Sequence, residues 1–274
     1  MIDCHTHTSY SKHGRGSIEE LVQIALERGI SVLTITDHAP FHIDTDNRLL
    51  QREVGEYFNE IDRVSAMYER DITILRGLEA DFIPGCEEAL LRQLRDINLD
   101  FLIGSVHYVP LGESLVRVWE LPQIQSARFL GGYFASLREL VLSGLFDAVG
   151  HPDAVLRAVP EDLYCKMFTP LIPLMKQKNV SYELNASGLR KTAYDPATGE
   201  ERYGTWTYPS LKLIRALVDE GVGFTLGSDA HAPEELGTGL EQTIVAAATA
   251  GVNTISYYQR RKQVNLPLTA LRMS

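Results

Sequence analysis

A chain of 274 residues that is 45% hydrophobic and 23% charged can bury a full core, and it fits one large domain better than two small ones. Its formal net charge of −10 excludes a broad basic grip on nucleic acid, and no long Lys/Arg cluster offsets that balance. No apolar run is long enough to span a membrane, and the opening Met1-Ile2-Asp3-Cys4-His5 lacks the basic and apolar regions of a secretory signal, so a cytoplasmic protein is expected.

The first strand-like run, Met1–His5, ends in His5-Thr6-His7, with His13 close behind in a glycine-flanked loop. Ser17–Arg28 then carries Ile18, Leu21, Val22, Ala25 and Leu26 at helical spacing, with Ser17 and Glu20 as a capping box and Gly29 as its stop. Val32–Asp37 exits on Asp37-His38 and is followed by a helical stretch over Leu49–Arg70. Thr73–Glu79 exits on Gly77-Leu78-Glu79 before a helix over Glu87–Asn98. Phe101–His107 ends on His107 and precedes a helix over Gln125–Ser143. Phe146–His151 runs into His151-Pro152-Asp153 and a helix over Glu161–Lys178. Val180–Asn185 leads into Ser187-Gly188-Leu189-Arg190-Lys191 and a helix over Pro209–Glu220. Gly223–Asp229 ends in Asp229-Ala230-His231 before a helix over Pro233–Ala250.

Seven strand–helix alternations predict parallel pairing with right-handed crossovers and closure into a TIM-like (β/α)7 barrel, a single α/β domain over residues 1–274. An open doubly wound sheet holding a nucleotide is the alternative, but no Gly-x-Gly-x-x-Gly follows the first strand. In such barrels the chemistry sits at the carboxyl ends of the strands. Seven of the eight histidines, all but His42, fall at or just after these ends, together with Glu79 and Asp229. Burying so many ionisable side chains at one rim is costly without compensation, and metal coordination supplies it. Imidazoles with carboxylates suit zinc, manganese or iron, whereas calcium or magnesium favours oxygen ligands. His5 and His7, two apart on a strand, project from one face and can share an ion. Cys4, Cys86 and Cys165 form no Cys-x-x-Cys pair and read as small buried residues rather than a thiolate site.

The joint order of these motifs over residues 3 to 231 resembles the polymerase and histidinol phosphatase (PHP) superfamily of metal-dependent phosphoesterases, in particular its histidinol-phosphate phosphatase branch. The resemblance implies a distorted seven-stranded barrel with two to three divalent transition-metal ions. By position, His5, His7, Glu79 and Asp229 would hold the first ion, Glu79, His107 and His151 the second, and His13, His38 and His231 the third. Asp3 and Asp37 are candidate acceptors that orient ligating imidazoles. Arg190 and Lys191 resemble the branch's Gly-Leu-Arg-Lys segment, which makes Arg190 the preferred phosphate anchor, with Lys191, Arg15 and His42 as further contacts and His42 also a candidate proton donor.

The activity implied is that of a phosphomonoesterase converting L-histidinol phosphate to L-histidinol and phosphate in histidine biosynthesis. Water shared by two divalent ions loses a proton with a pKa moving from about 15.7 toward about 7, so it attacks phosphorus without a side-chain nucleophile. Asp44-Thr45-Asp46 and the Cys86/Arg92 pair match covalent-phosphatase patterns only literally. The segments Ala39–Leu49, Tyr108–Leu121 and Ser187–Tyr208 are expected to wall the pocket, with Phe41, Tyr108, Trp119, Tyr194 or Trp206 stacking the substrate ring and Glu113 or Glu120 meeting its ammonium. Competing readings are a phosphoesterase of the same fold acting on nucleotides or nucleoside bisphosphates, a metal-dependent amidohydrolase, and a non-catalytic metal-binding module.

Overall fold

The computed structural model describes residues 1–120, 126–195, 197–202 and 206–271. In chain order the strands are β1 (Ile2–Asp3), β2 (Val32–Ile35), β3 (Thr73–Asp81), β4 (Phe101–Ser105), β5 (Tyr108–Leu111), β6 (Ser114–Arg117), β7 (Ala148–Val149), β8 (Ser181–Asn185), β9 (Ala193–Tyr194), β10 (Glu201–Arg202), β11 (Phe224–Gly227), β12 (Thr254–Gln259) and β13 (Lys262–Pro267). Seven of them form one sheet in the order β1-β2-β3-β4-β7-β8-β11, each neighbour pair parallel. Closure comes from the first and last strands, where Cys4 N donates to Leu226 O, Asp229 N to His5 O and His7 N to Ala230 O, all at 2.8 Å. This is the (β/α)7 barrel that the strand–helix alternation predicts, distorted as the family resemblance implies.

The barrel strands are buried on both faces, as the continuous apolar runs require. Their helices bury one stripe each. Ile18–Glu27 packs Ile18, Leu21, Val22 and Ala25 inward and is capped by the reciprocal Ser17–Glu20 box expected from the sequence. β1 and β7 contract to two residues because the rest of each predicted strand has already turned into the loop that carries histidine.

Several boundaries differ from the sequence reading for identifiable reasons. The stretch Glu161–Lys178 is two helices, Glu161–Phe168 and Ile172–Lys178, joined by a tighter turn at Thr169–Leu171, since Pro170 and Pro173 remove the N–H groups a continuous helix needs. The last helix begins at Leu240 rather than Pro233, because Gly237 and Gly239 adopt φ of 72° and 86° just before it. The helix expected from Leu49 begins at Val54, and that expected to reach Asn98 stops at Leu94. Ala127–Ser143 is capped by Ser126; Gln125, where the sequence reading begins this helix, lies outside the described residues, as does Leu121.

Beyond the barrel proper, β5 and β6 form a hairpin over the mouth. A second hairpin, β12 with β13, lies against the amino-terminal ends of the strands, where Tyr258 bonds Ser181 Oγ at 2.7 Å and Asp147 O at 3.0 Å.

Candidate metal centre

Strand ends bring the ligand candidates together around Glu79, which leaves β3 almost fully buried. Its Oε2 lies 3.0 Å from His38 Nδ1, 3.3 Å from His5 Nε2 and 3.4 Å from His7 Nε2. Its Oε1 lies 2.9 Å from His151 Nε2 and 3.5 Å from His107 Nε2. Asp229 Oδ1 approaches His7 Nε2 at 3.5 Å and His5 Nε2 at 3.8 Å. Four trios place their donor atoms within 4.8 Å of one another: His5-His7-Asp229, His5-Glu79-His151, His38-Glu79-His107 and His7-His38-His231.

This donor set fits divalent cations. Glu79 Oε2 and His38 Nδ1 are buried without a hydrogen-bond partner, although they face each other. The Nδ1 atoms of His5, His7, His13, His107 and His231 each meet an oxygen acceptor: Glu183, Ser11 Oγ, Ser11 O, Asp81 and Asp229 O respectively. That pairing leaves Nε2 as the lone-pair nitrogen on each ring. Burial pushes His7 well below the usual imidazole range, His231 down to about 3, and His13 down as well, with positive neighbours reinforcing the shift. For Glu79 and Asp229 burial works against the charge, yet the imidazoles hold both carboxyls well below their ordinary range. His151 moves the other way: burial opposes its charge, but the hydrogen bond to Glu79 raises it to about 8.

Two of the candidate ligands sit on strained backbone. His151 has φ of 27° and Asp229 of 53°, a region that favours glycine, so surrounding bonds must hold them there. Around His13 the geometry differs from the expected third set. Its ring centroid is 4.8 Å from that of His231 and 5.2 Å from that of His38, but the trio whose donor atoms converge uses His7 in its place.

The orienting acceptors also differ from expectation. Asp3 accepts from the backbone N–H groups of Ser228 and Gly237, and Asp37 from Thr8 and Ser11, so neither carboxylate meets an imidazole. Asp37 acts one step removed, through the Ser11 hydroxyl that faces His7 Nδ1. Outside the ligand candidates themselves, the carboxylates that meet imidazoles are Glu183 and Asp81, 2.6 Å from His5 Nδ1 and 2.8 Å from His107 Nδ1. Period-two alternation could have found both, since Glu183 is an ionisable residue inside an apolar strand and Asp81 shares a face with Glu79.

Above the cluster opens a cavity of about 360 Å³. Lys191, Tyr108 and Trp119 line it as expected, and Asp44, Arg48 and Tyr208 come from the segments expected to wall it; Tyr133 and Arg157, which the sequence reading did not assign to the pocket, line it too. Arg190 is redirected: its guanidinium donates to the carbonyls of Ser228 and Asp229 just after β11 and of Thr238 ahead of the last helix, and it does not line the cavity. Arg15 pairs with Glu234 on the surface. His42 and Phe41 line a separate cavity behind Asp81. Tyr194, Trp206, Glu113 and Glu120 are absent from the described lining, with the Trp206 indole bonded to Pro209 O at 2.7 Å.

Residues 3–187 match the PHP domain. The chain belongs to the PHP domain family. Asp229 and His231 lie beyond the matched stretch, yet they share the cluster with the PHP residues of the first strands. The chain is 31% identical to a protein of Deinococcus radiodurans named "Probable histidinol-phosphatase", over 96% of this chain and 98% of that one. A Schizosaccharomyces pombe protein of the same name is 27% identical over 86% of this chain and 82% of its own length. Among solved structures, a histidinol phosphate phosphatase from Lactococcus lactis, complexed with zinc, L-histidinol and phosphate, superposes with a TM-score of 0.80 at 19% identity, over 96% of this chain and 98% of that one. That likeness concerns the fold. Among the described residues no helix is long and apolar enough to cross a membrane.

Proposed function

We propose that this PHP domain is a phosphomonoesterase that hydrolyses L-histidinol phosphate to L-histidinol and phosphate, as one catalytic unit of histidine biosynthesis in the cytoplasm. The observation that carries the reading is a buried carboxylate, Glu79, ringed by five imidazoles on the floor of a cavity that also presents Arg157, Lys191 and Asp44. The names of relatives that match along nearly the whole chain support the substrate.

His5, His7, Glu79 and Asp229 are assigned to a first ion, Glu79, His107 and His151 to a second, and His38 and His231 with His7 or His13 to a third, each of them zinc, manganese or iron. Bound divalent ions acidify water and neutralise phosphoryl charge. The remaining work falls to side chains of the cavity. Arg157 spends its Nε on Thr192 O at 2.7 Å and, among the described residues, its terminal nitrogens have no hydrogen-bond partner, so they are assigned to phosphate oxygens. Lys191, the residue before Thr192, adds a second positive charge to the cavity lining. Asp44, held by Tyr108 OH and by Arg117 at 3.1 Å, is the carboxylate of the lining outside the ion cluster and is assigned to the substrate ammonium. Trp119, edge-on to both Tyr108 and His107, offers an aromatic face for the substrate imidazole.

Phosphate release from L-histidinol phosphate, measured beside nucleoside monophosphates and bisphosphates, tests the assignment. Preference for L-histidinol phosphate, lost on metal removal and regained on adding zinc or manganese, is the expected result. Faster turnover of nucleotide esters would move the chain to another branch of the family, and full activity after metal removal would end the metal-dependent reading.

A further inference from the structure

We propose that Glu183 is a positioning residue of the metal centre, a single buried carboxylate that fixes two ligands from two different strands. The proposal rests on the reading of His5 and His151 as ion ligands. Glu183 is the middle residue of β8, and its side chain enters the barrel with no solvent exposure. One oxygen, Oε1, lies 2.6 Å from His5 Nδ1. The other, Oε2, accepts from the backbone N–H of His151 at 2.6 Å and from Asn185 Nδ2 at 3.1 Å.

Each contact has a consequence for coordination. Accepting the Nδ1 proton of His5 fixes its tautomer, so Nε2 carries the lone pair where it faces Glu79 and Asp229. Holding the N–H of His151 secures a residue whose φ of 27° is strained for anything but glycine, and its Nε2 then reaches Glu79 Oε1 at 2.9 Å. Asn185, whose amide also lies 3.4 Å from Asp229 Oδ2, extends the same network to a third ligand.

The fold is shaped to admit this carboxylate. A Cβ added to Gly227 would stand 2.6 Å from Glu183 Oε1 and 2.4 Å from His5 Cβ, so only glycine lets β11 pass beside the pair. Among the described residues no lysine or arginine pairs with Glu183; its oxygens face the His5 ring, the His151 N–H and the Asn185 amide instead. Because every partner is a donor, no neutral isostere can serve. The amide of a glutamine turns its NH2 against either His5 Nδ1–H or the donors at His151 and Asn185.

The experiment is zinc affinity of metal-stripped protein, by competition with a chromophoric chelator, for wild type, Glu183→Gln and Asp147→Asn. Loss of a group that orients a ligand weakens metal binding about 10–100-fold, and that is the loss expected for Glu183→Gln. Asp147→Asn removes a buried carboxylate at the other end of the barrel and serves as the control: it lowers thermal stability and leaves zinc affinity as in wild type. A readout without mutation is the 15N spectrum of the histidines in zinc-loaded wild type, where His5 is expected to carry zinc on Nε2 and a proton on Nδ1. Wild-type affinity in Glu183→Gln, equal losses in both variants, or zinc on His5 Nδ1 would overturn the assignment. Failure of the wild-type protein to bind zinc at all would instead remove the metal reading beneath it.

Discussion

At the base of the barrel Asp147 accepts from Leu102 N at 2.8 Å and from Arg261 Nε at 2.5 Å, so its buried carboxylate meets a permanent cation supplied by the β12–β13 hairpin. At the mouth Glu79 is more deeply buried, and its neighbours within 3.5 Å include five imidazole nitrogens but no guanidinium or ammonium. The base is electrostatically complete on its own. Among the described residues the mouth offers Glu79 no such permanent cation: burial keeps His7 and His231 neutral while the carboxyls of Glu79 and Asp229 stay charged, and the raised His5 and His151 hold protons that a bound cation would displace. The comparison separates buried charge that secures a fold from buried charge kept ready for a ligand.

The sharpest way to break this contrast is Glu79→Gln. Removing a carboxylate assigned to two ions should lower both metal content and turnover more than about 100-fold, since even groups that merely orient ligands are worth 10–100-fold. Elemental analysis and phosphate release check it, with circular dichroism to show the barrel intact. Retained metal and activity would mean that the mouth, like the base, is self-sufficient.

Arg157→Ala comes next. A charge-assisted hydrogen bond to phosphate, worth roughly 1.5–3 kcal/mol, predicts a fall in kcat/KM of at least about 10-fold with metal content unchanged. Arg190→Ala should do the reverse, because its guanidinium props the carbonyls around Asp229: metal affinity drops while KM for the phosphate ester changes little. An Arg190 effect confined to KM would restore it as the phosphate anchor.

The base responds in stability. Asp147→Asn should lower unfolding free energy by about 1–3 kcal/mol, less than a fully buried pair because the Arg261 side chain is 36% exposed, and urea titration would read it. In metal-stripped protein the mouth adds a pH dependence of defined sign. The folded-state His151 value of about 8 lies above the ordinary value of about 6.5, so its contribution to stability is full below about 6.5 and lost as pH rises through about 8. His5, also raised, acts in the same direction. Zinc competes with those protons, so its affinity should climb over the same interval, and a flat titration would show that neither imidazole binds the ion.

Legibility in the sequence followed the same division. Strand–helix alternation and helical stripes specified the barrel because burial imposes periods that a single chain displays, and the ligand candidates were visible because all but the loop residue His13 sit at or just after the end of an apolar run. The supports were harder to see. Asp81 and Glu183 stand out by period as ionisable residues within strands, but which imidazole each meets is set only by the neighbouring strands, and the pairing of Arg190 with backbone carbonyls near residue 229 depends on β8 lying beside β11. Arg48, which ion-pairs with Asp81 from a loop, and Arg157, placed by the turn after His151, carry no local pattern at all. Proline and glycine set the boundaries that periodicity overran, at Pro170, Pro173, Gly237 and Gly239.

The smallest expected effect belongs to His42, the one histidine outside the strand-end set. It lines an adjoining cavity of about 630 Å³ with Phe41 and Leu90, separated from the ion cluster by Asp81, whose oxygens are committed to His107 and Arg48. A proton from His42 would have to cross that ion pair to reach a leaving alkoxide. His42→Ala should therefore leave kcat, KM and the pH–rate profile within about twofold of wild type, the range of a substitution away from any critical contact. A shifted acidic or basic limb would show that the second cavity communicates with the mouth through Asp81, and the boundary drawn here around the metal centre would have to be moved outward to include it.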